Sequence, residues 1–276
     1  MHKLQEECAD LGVHDTTIRV VKVDLSSLDS IRECASKWEA DGGEAIHVLI
    51  NNAGIFSMGS MTREETPAGF ESHLGTNHIG PSLLTLLLLP YLRKAGGLYH
   101  HARGGTSGGA RVVTVASVMH KLTQINLADI NFERRPYSSG TAYAQSKLAN
   151  ILFTSELRRR IPSTWNIHCV SLHPGNIMTD IVRTLPKWLQ TAYKIVLPLF
   201  NITSAQGARC SVYCASNKQV PQIAKDHEAT CHGYFDSACK PDAPWNYDPS
   251  VARWLWDWTI KAAQVPDNLS LPDPDL

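Results

Sequence analysis

The stretch Arg111-Val-Val-Thr-Val-Ala-Ser117 is rich in β-branched and apolar residues and reads as a buried strand. After a polar interval, Thr141 to about Ile161 carries the composition and length of a helix and holds Tyr143-Ala-Gln-Ser-Lys147. Asn166 to His173 is a second strand. A strand, a long helix and a strand in that order make a crossover unit, which joins parallel neighbours in a sheet. Outward from this unit the rhythm continues. Residues 17–24, Thr-Ile-Arg-Val-Val-Lys-Val-Asp, and His47–Asn51 read as further strands. Helices are expected at 27–39 with Ser27 as N-cap, from about Pro67 to Lys94, at 204–216 and from Pro249 to Ala263, with a short last strand at 233–235. The alternation predicts an α/β fold, a Rossmann-like doubly wound parallel sheet.

Composition narrows the function. The 276 residues are 43% hydrophobic, with 26 basic and 26 acidic residues in balance. That neutrality argues against nucleic acid as a partner, and the apolar content argues against a disordered chain. Seven scattered cysteines without a CxxC pair fit a reducing compartment better than a disulfide framework or a zinc site, and no metal ligand set is expected. The opening residues lack the apolar core of a secretory signal, and the most apolar run, Leu83–Leu92, is shorter than the roughly 20 residues of a spanning helix. A soluble protein, cytoplasmic or associated with an intracellular membrane, is the expectation. Three segments interrupt the rhythm. The glycine-rich tract 96–109 reads as a surface insertion, the apolar but proline-broken 181–200 as a lid over a substrate pocket, and the proline- and aspartate-rich 264–276 as an unstructured tail. Residues 1–263 form a single domain on this reading.

Tyr143 and Lys147 lie four apart and share a helix face. A phenol titrates near pH 10, too high for efficient proton exchange at neutral pH, and a neighbouring ammonium would favour the phenolate. Spacing alone also fits a surface tyrosine and a solvated lysine. Three further features share the pair's context. Ser117 ends its strand at the edge where parallel sheets bind ligands. Asn51-Asn52-Ala53-Gly54 and Pro174-Gly175 end two other strands, and Asn77 sits mid-helix, an unfavourable place for an amide without a task.

In their order, Asp24-Leu25, Asn51-Asn-Ala-Gly54, Asn77, Ser117, Tyr143-x-x-x-Lys147 and Pro174-Gly175 resemble the short-chain dehydrogenase/reductase family, over about residues 1–263. The wording is most similar to the retinol dehydrogenase-like branch, in Asn77-His78-x-Gly80, Tyr143-x-x-Ser-Lys-Leu-Ala-Asn150 and Leu172-His-Pro-Gly175. The resemblance implies hydride transfer between a nicotinamide cofactor, NADP in preference to NAD, and an alcohol or carbonyl on a hydrophobic retinoid-, steroid- or lipid-like substrate. Tyr143 is then the acid/base, Lys147 lowers its pKa and holds the nicotinamide ribose, Ser117 orients the substrate oxygen, and Asn77 positions a water on the proton path. Asp24, with Leu25, contacts the adenine. Asn51, Ala53 and Gly54 flank the cofactor, and Pro174, Gly175 and the segment to Thr179 cover its nicotinamide side. A homodimer and peripheral contact with a membrane also belong to that implied picture.

The family opens with a glycine-rich turn whose backbone amides bind the pyrophosphate. Here no two glycines stand two apart, so Gly-x-Gly occurs nowhere, and residues 1–12 resemble the helix before the third family strand. The chain is therefore expected to lack the first two strands and the glycine-rich turn of a 3-2-1-4-5-6-7 sheet, as an amino-terminally truncated product would. Two rivals remain on the sequence. One is a non-catalytic member that acts as a binding protein. The other is a serine hydrolase built on Gly105-Thr-Ser107-Gly-Gly109, which would need a strand before it and a helix after it.

Overall fold

The computed structural model describes residues 17–57, 59–101, 108–175 and 203–275. Ser27 starts the first helix, α1 (Leu28–Ala40), by accepting the amide of Ser30 at 3.2 Å, as an N-cap does. Strand β1 (Val48–Asn51) follows. A long helical run then comprises α2 (Ser72–Leu74), a π-helical turn at Gly75–Ile79, α3 (Gly80–Leu87) and α4 (Leu89–His101). It begins at Ser72 rather than near Pro67 because Glu71 caps it, accepting the amides of His73 and Leu74. Next come β2 (Ala110–Val115), α5 (Ser139–Arg160), β3 (Ile167–Leu172), α6 (Ser204–Ser216), the short α7 (Val220–Asp226) and α8 (Glu228–Cys231), β4 (Tyr234–Phe235) and α9 (Pro249–Ala262).

Among the described residues the sheet has four strands in the order β1-β2-β3-β4, all parallel. That order matches the last four positions of the expected sheet. Side chains alternate across it. Val112 and Cys169 face a core shared with α3, α5 and α9, whereas Val113, Val115, Val170 and Leu172 face α6 and α7. Helices therefore cover both faces, as a doubly wound sheet requires. The strand expected at 17–24 does not form. Its residues are largely exposed, and among the described residues none supplies it a ladder of hydrogen bonds, so its backbone stays in water.

The tail expected to be unstructured is instead docked. Val265 and Leu271 are buried, Asp267–Leu269 forms a 3₁₀ turn, and Arg160 Nη1 donates to the carbonyl of Leu271 at 2.9 Å. Arginines at the end of α5 hold the acidic residues: Arg159 Nη1 lies 2.8 Å from Asp273 and 2.9 Å from Asp275. β2 begins directly after Gly109, so a strand and no helix follows the Gly-x-Ser-x-Gly match, which removes the hydrolase reading. Its residues 105–107, the expected lid at 181–200, Thr179 and the expected helix at 1–12 lie outside the described residues. Among the described residues no helix is long and apolar enough to cross a membrane, and no group of potential ligands could hold a metal ion.

Candidate active site

The carboxyl ends of β1 and β2 bring the expected residues together. Lys147 extends from α5 under this edge and donates to the carbonyl of Val115, the last residue of β2, at 3.0 Å. The amine is nearly fully buried, and desolvation pulls its pKa down to about 8. An ammonium carries three donors, so one bond to Val115 leaves donor capacity for a ligand at the strand edge.

Tyr143 lies one turn earlier on α5, 9% exposed, with the Lys147 ammonium 5.6 Å from its ring centroid. Burial raises the phenol's pKa, and a hydrogen bond with the Ser117 side chain opposes that shift. The Lys147 amine meanwhile donates to Val115, and burial disfavours its charge. Ser117 lies just beyond β2 and caps a 3₁₀ turn (Val118–Leu122), its hydroxyl accepting the amide of Met119 at 3.3 Å.

Asn77 occupies the π-helical turn, nearly fully buried. Such turns recur at functional sites because they displace one side chain from the helical ladder. Its Oδ1 accepts the amide of Ile55 at 2.7 Å, and its Nδ2 donates to the Ile55 carbonyl and to Ser146 Oγ, both at 3.0 Å. The Asn51-Asn-Ala-Gly54 segment is thereby held against α5. At Gly54 an added Cβ would stand 2.9 Å from Asn77 Oδ1 and 3.3 Å from Lys147 Nζ, so only glycine fits the present packing. Ala53 is exposed beside it, and Asn51 donates to Thr85 Oγ1 at 2.8 Å. Pro174 and Gly175 follow β3, where the Gly175 amide donates to His173 Nδ1 at 3.2 Å.

Asp24 is exposed at the turn before α1. The hydroxyl and amide of Ser26 both donate to its carboxylate and hold its pKa below the usual range. Leu25 anchors that turn: a Cβ at Gly80 would stand 2.2 Å from its carbonyl oxygen, so the loop and α3 touch backbone to backbone. Asp24 and Leu25 thus pack at the start of α3. A polar, open cleft of about 740 Å³ lies beyond the 3₁₀ turn, lined by Lys121, Asn126, Arg135 and Asn246 among others; Tyr143 is not among its walls.

The sequence reading missed two side chains beside Tyr143 and a carboxylate behind them. Phe56 stacks on the phenol, with centroids 4.4 Å apart and planes at 23°. His73 meets its edge at 6.2 Å, and the buried Glu71 binds His73 Nδ1 at 2.7 Å. The signal available was the Glu71-Ser-His73 start of the helix that carries Asn77, where an acid is expected as a cap and the histidine is surplus to capping.

Residues 1–190 match the family model described as short chain dehydrogenase. Among curated proteins, the chain is 34% identical over 257 residues to the dehydrogenase/reductase SDR family member FEY of Arabidopsis thaliana, covering 90% of this chain and 64% of that protein. It is 35% identical over 251 residues to retinol dehydrogenase 11 of Homo sapiens, covering 90% of this chain and 70% of that protein. Retinol dehydrogenase 14 of Homo sapiens is 37% identical over 251 residues, covering 89% of this chain and 66% of that protein. The chain thus spans about two thirds of the length of these relatives. Among solved structures, an uncharacterized protein from Mycobacterium paratuberculosis superposes with a TM-score of 0.62 at 30% identity, covering 97% of this chain and 82% of the other. The NADPH-bound carbonyl reductase from chicken fatty liver shares the fold, with a TM-score of 0.54 at 20% identity over 88% of this chain and 82% of the other. Relatives this similar, and a family model covering more than half of the sequence, establish that the chain belongs to the short chain dehydrogenase family.

Proposed function

We propose that the chain is an NAD(P)-dependent oxidoreductase that interconverts an alcohol and a carbonyl on a hydrophobic small molecule, with Tyr143 as the acid/base. The observation that carries this reading is the convergence of Ser117, Tyr143, Lys147 and Asn77 at one strand edge, where Lys147 holds the end of β2 and Asn77 is bonded to Ser146 between Tyr143 and Lys147.

The site fits the nicotinamide half of a dinucleotide. Gly54 offers a backbone surface free of a side chain, Lys147 has donors to spare, and the exposed Ala53 and the Pro174–Gly175 turn border the same edge. A bound nicotinamide dinucleotide supplies or accepts the hydride. Tyr143 gives a proton to the carbonyl oxygen during reduction and takes it back during oxidation. Ser117 donates a hydrogen bond to that oxygen and orients it. Lys147 holds the nicotinamide ribose, and Asn77 positions a water that returns the proton from solvent. Asp24 contacts the adenine, with Leu25 beside it. Asn51 and Thr179 complete the cofactor's surroundings, and 181–200 covers the substrate. Relatives named retinol dehydrogenase favour a retinoid-like substrate and, with the branch resemblance, NADP over NAD.

The second reading is a binding protein that keeps these residues without turnover. One experiment separates the two. The purified chain is titrated with NADPH and with NADH by fluorescence, then assayed for reduction of a long-chain aldehyde. Micromolar binding, and turnover that falls at least about 100-fold in Tyr143→Phe, is the expected result. No binding up to about millimolar, near −4 kcal/mol, favours the binding-protein reading.

A further inference from the structure

We propose that Glu71 and His73 are positioning residues for Tyr143: joined to each other by a hydrogen bond, they fix the turn at residues 55–57 so that the ring of Phe56 covers one face of the phenol. The inference rests on the reading of Tyr143 as acid/base only for its consequence, since the arrangement is a matter of geometry.

The hydrogen bonds assign a direction to the pair. The backbone amide of Ser57 donates to His73 Nε2 at 3.0 Å. An amide N–H only donates, so Nε2 carries its lone pair and the ring proton sits on Nδ1. From there it is given to Glu71 Oε1 at 2.7 Å. The carboxylate is fully buried, and besides His73 it accepts from Tyr137 OH at 2.9 Å and from the amides of His73 and Leu74. Desolvation would raise its pKa, but the His73 ring and the amides of His73 and Leu74 outweigh it and hold it below the ordinary value. Capping the helix needs only the two amide contacts. A fully buried imidazole between the carboxylate and Ser57 adds nothing to that cap, but it does fix the turn.

That turn carries Phe56. Its ring lies 4.4 Å from that of Tyr143, nearly parallel, while His73 meets Tyr143 edge-on at 6.2 Å and Phe56 edge-on at 6.2 Å. Two rings therefore flank the phenol, and Asn77 also grips the same turn through Ile55. The enclosure keeps water from the flat face of Tyr143, which is the burial that raises its pKa.

The test reads the phenol directly, without ligand or turnover. Protein labelled with ¹³C at tyrosine Cζ is titrated with base by NMR, and the Tyr143 signal is assigned by its loss in Tyr143→Phe. Three variants share Lys147 and Tyr137 unchanged. His73→Asn keeps a donor for Glu71 but falls short of Ser57. His73→Gln restores an acceptor at the position of Nε2. Phe56→Ala removes the cover. The expected result is a midpoint lowered by about one pH unit in Phe56→Ala and in His73→Asn, and restored in His73→Gln. The double variant His73→Asn/Phe56→Ala shifts no further than Phe56→Ala alone, because His73 acts through Phe56. A folded His73→Asn protein whose Tyr143 titrates as in the parent overturns the proposal and leaves the pair as a helix cap. If Tyr143→Phe retains turnover, the catalytic reading fails while the titration still answers for the enclosure.

Discussion

Asn77 holds Ile55 through both ends of its side-chain amide, Oδ1 accepting the Ile55 N–H at 2.7 Å and Nδ2 donating to the Ile55 carbonyl at 3.0 Å. A strand-end loop is thereby tied to the middle of a helix by a residue that mimics a strand partner. The third bond, to Ser146 Oγ, ties both to α5 between Tyr143 and Lys147. Asn77→Ala leaves these backbone and hydroxyl groups without their partner, at a cost of about 1–3 kcal/mol. The expected outcome is a lower urea midpoint with an unchanged slope, and a turnover loss larger than that stability change explains. A variant with parental turnover shows the bridge to be structural only.

Gly54→Ala probes the same junction from the opposite wall. The new methyl group would stand 2.9 Å from Asn77 Oδ1, and Asn77 cannot yield cheaply because three hydrogen bonds hold it. Overpacking of this kind costs about 1–3 kcal/mol. It also places a methyl where the nicotinamide ribose is proposed to lie. NADPH affinity is expected to fall at least about tenfold while the chain remains folded, measured by fluorescence titration and thermal melting. Unchanged affinity places the ribose elsewhere.

The strand–helix alternation was legible because each element sits in water on one side and in the core on the other, so its period survives in the sequence. β2, α5, β3, α6 and α9 fall within a few residues of expectation for that reason. Segment 17–24 is rich in β-branched residues, as β2 is, yet it joins no ladder among the described residues. Composition reports the capacity to pair, whereas pairing depends on what lies alongside. The residues with chemistry stood out by spacing and place: a tyrosine and a lysine four apart on a helix, an amide inside a helix, and serine, asparagine and glycine at strand ends. Phe56 and His73 were not legible. A phenylalanine after a turn and a histidine near a helix start are locally ordinary, and only the fold brings them to Tyr143.

The docked carboxyl-terminal segment was misread for a related reason. Its prolines and aspartates suit disorder, but Arg159 and Arg160 at the end of α5 receive its acids and a carbonyl. Leu271 is 7% exposed within the core shared by α5 and α9. Leu271→Ala is expected to lower stability by about 2–3 kcal/mol, toward the low end for a core leucine because the site lies at the rim. Urea unfolding at neutral pH measures it, and an unchanged midpoint means that the segment is not docked in solution.

His78 predicts how the fold responds to acid. Its Nδ1 faces Asn150 Oδ1 at 3.3 Å and its Nε2 faces Thr259 Oγ1 at 2.9 Å, so the ring joins the π-helical turn to α5 and α9. The amide oxygen only accepts, which puts the ring proton on Nδ1 and leaves Nε2 to accept from the threonine hydroxyl. The neutral ring is thus satisfied on both sides, and full burial pulls its pKa from 6.5 down to about 4. Between those values the unfolded chain binds a proton that the folded chain refuses. The contribution is therefore fully present above pH 6.5 and is lost as pH falls through 4, at up to about 1.4 kcal/mol per pH unit. His78→Gln does not titrate in that window. The parent is expected to lose stability from pH 7 to 4.5 more steeply than the variant, by roughly 2–3 kcal/mol over that range. His120, His168, His173 and His232, also held below the ordinary histidine value, are common to both proteins and cancel in the difference. Parallel urea midpoints across this range would mean that His78 is protonated in the folded chain and that the Thr259 hydroxyl has turned to accept.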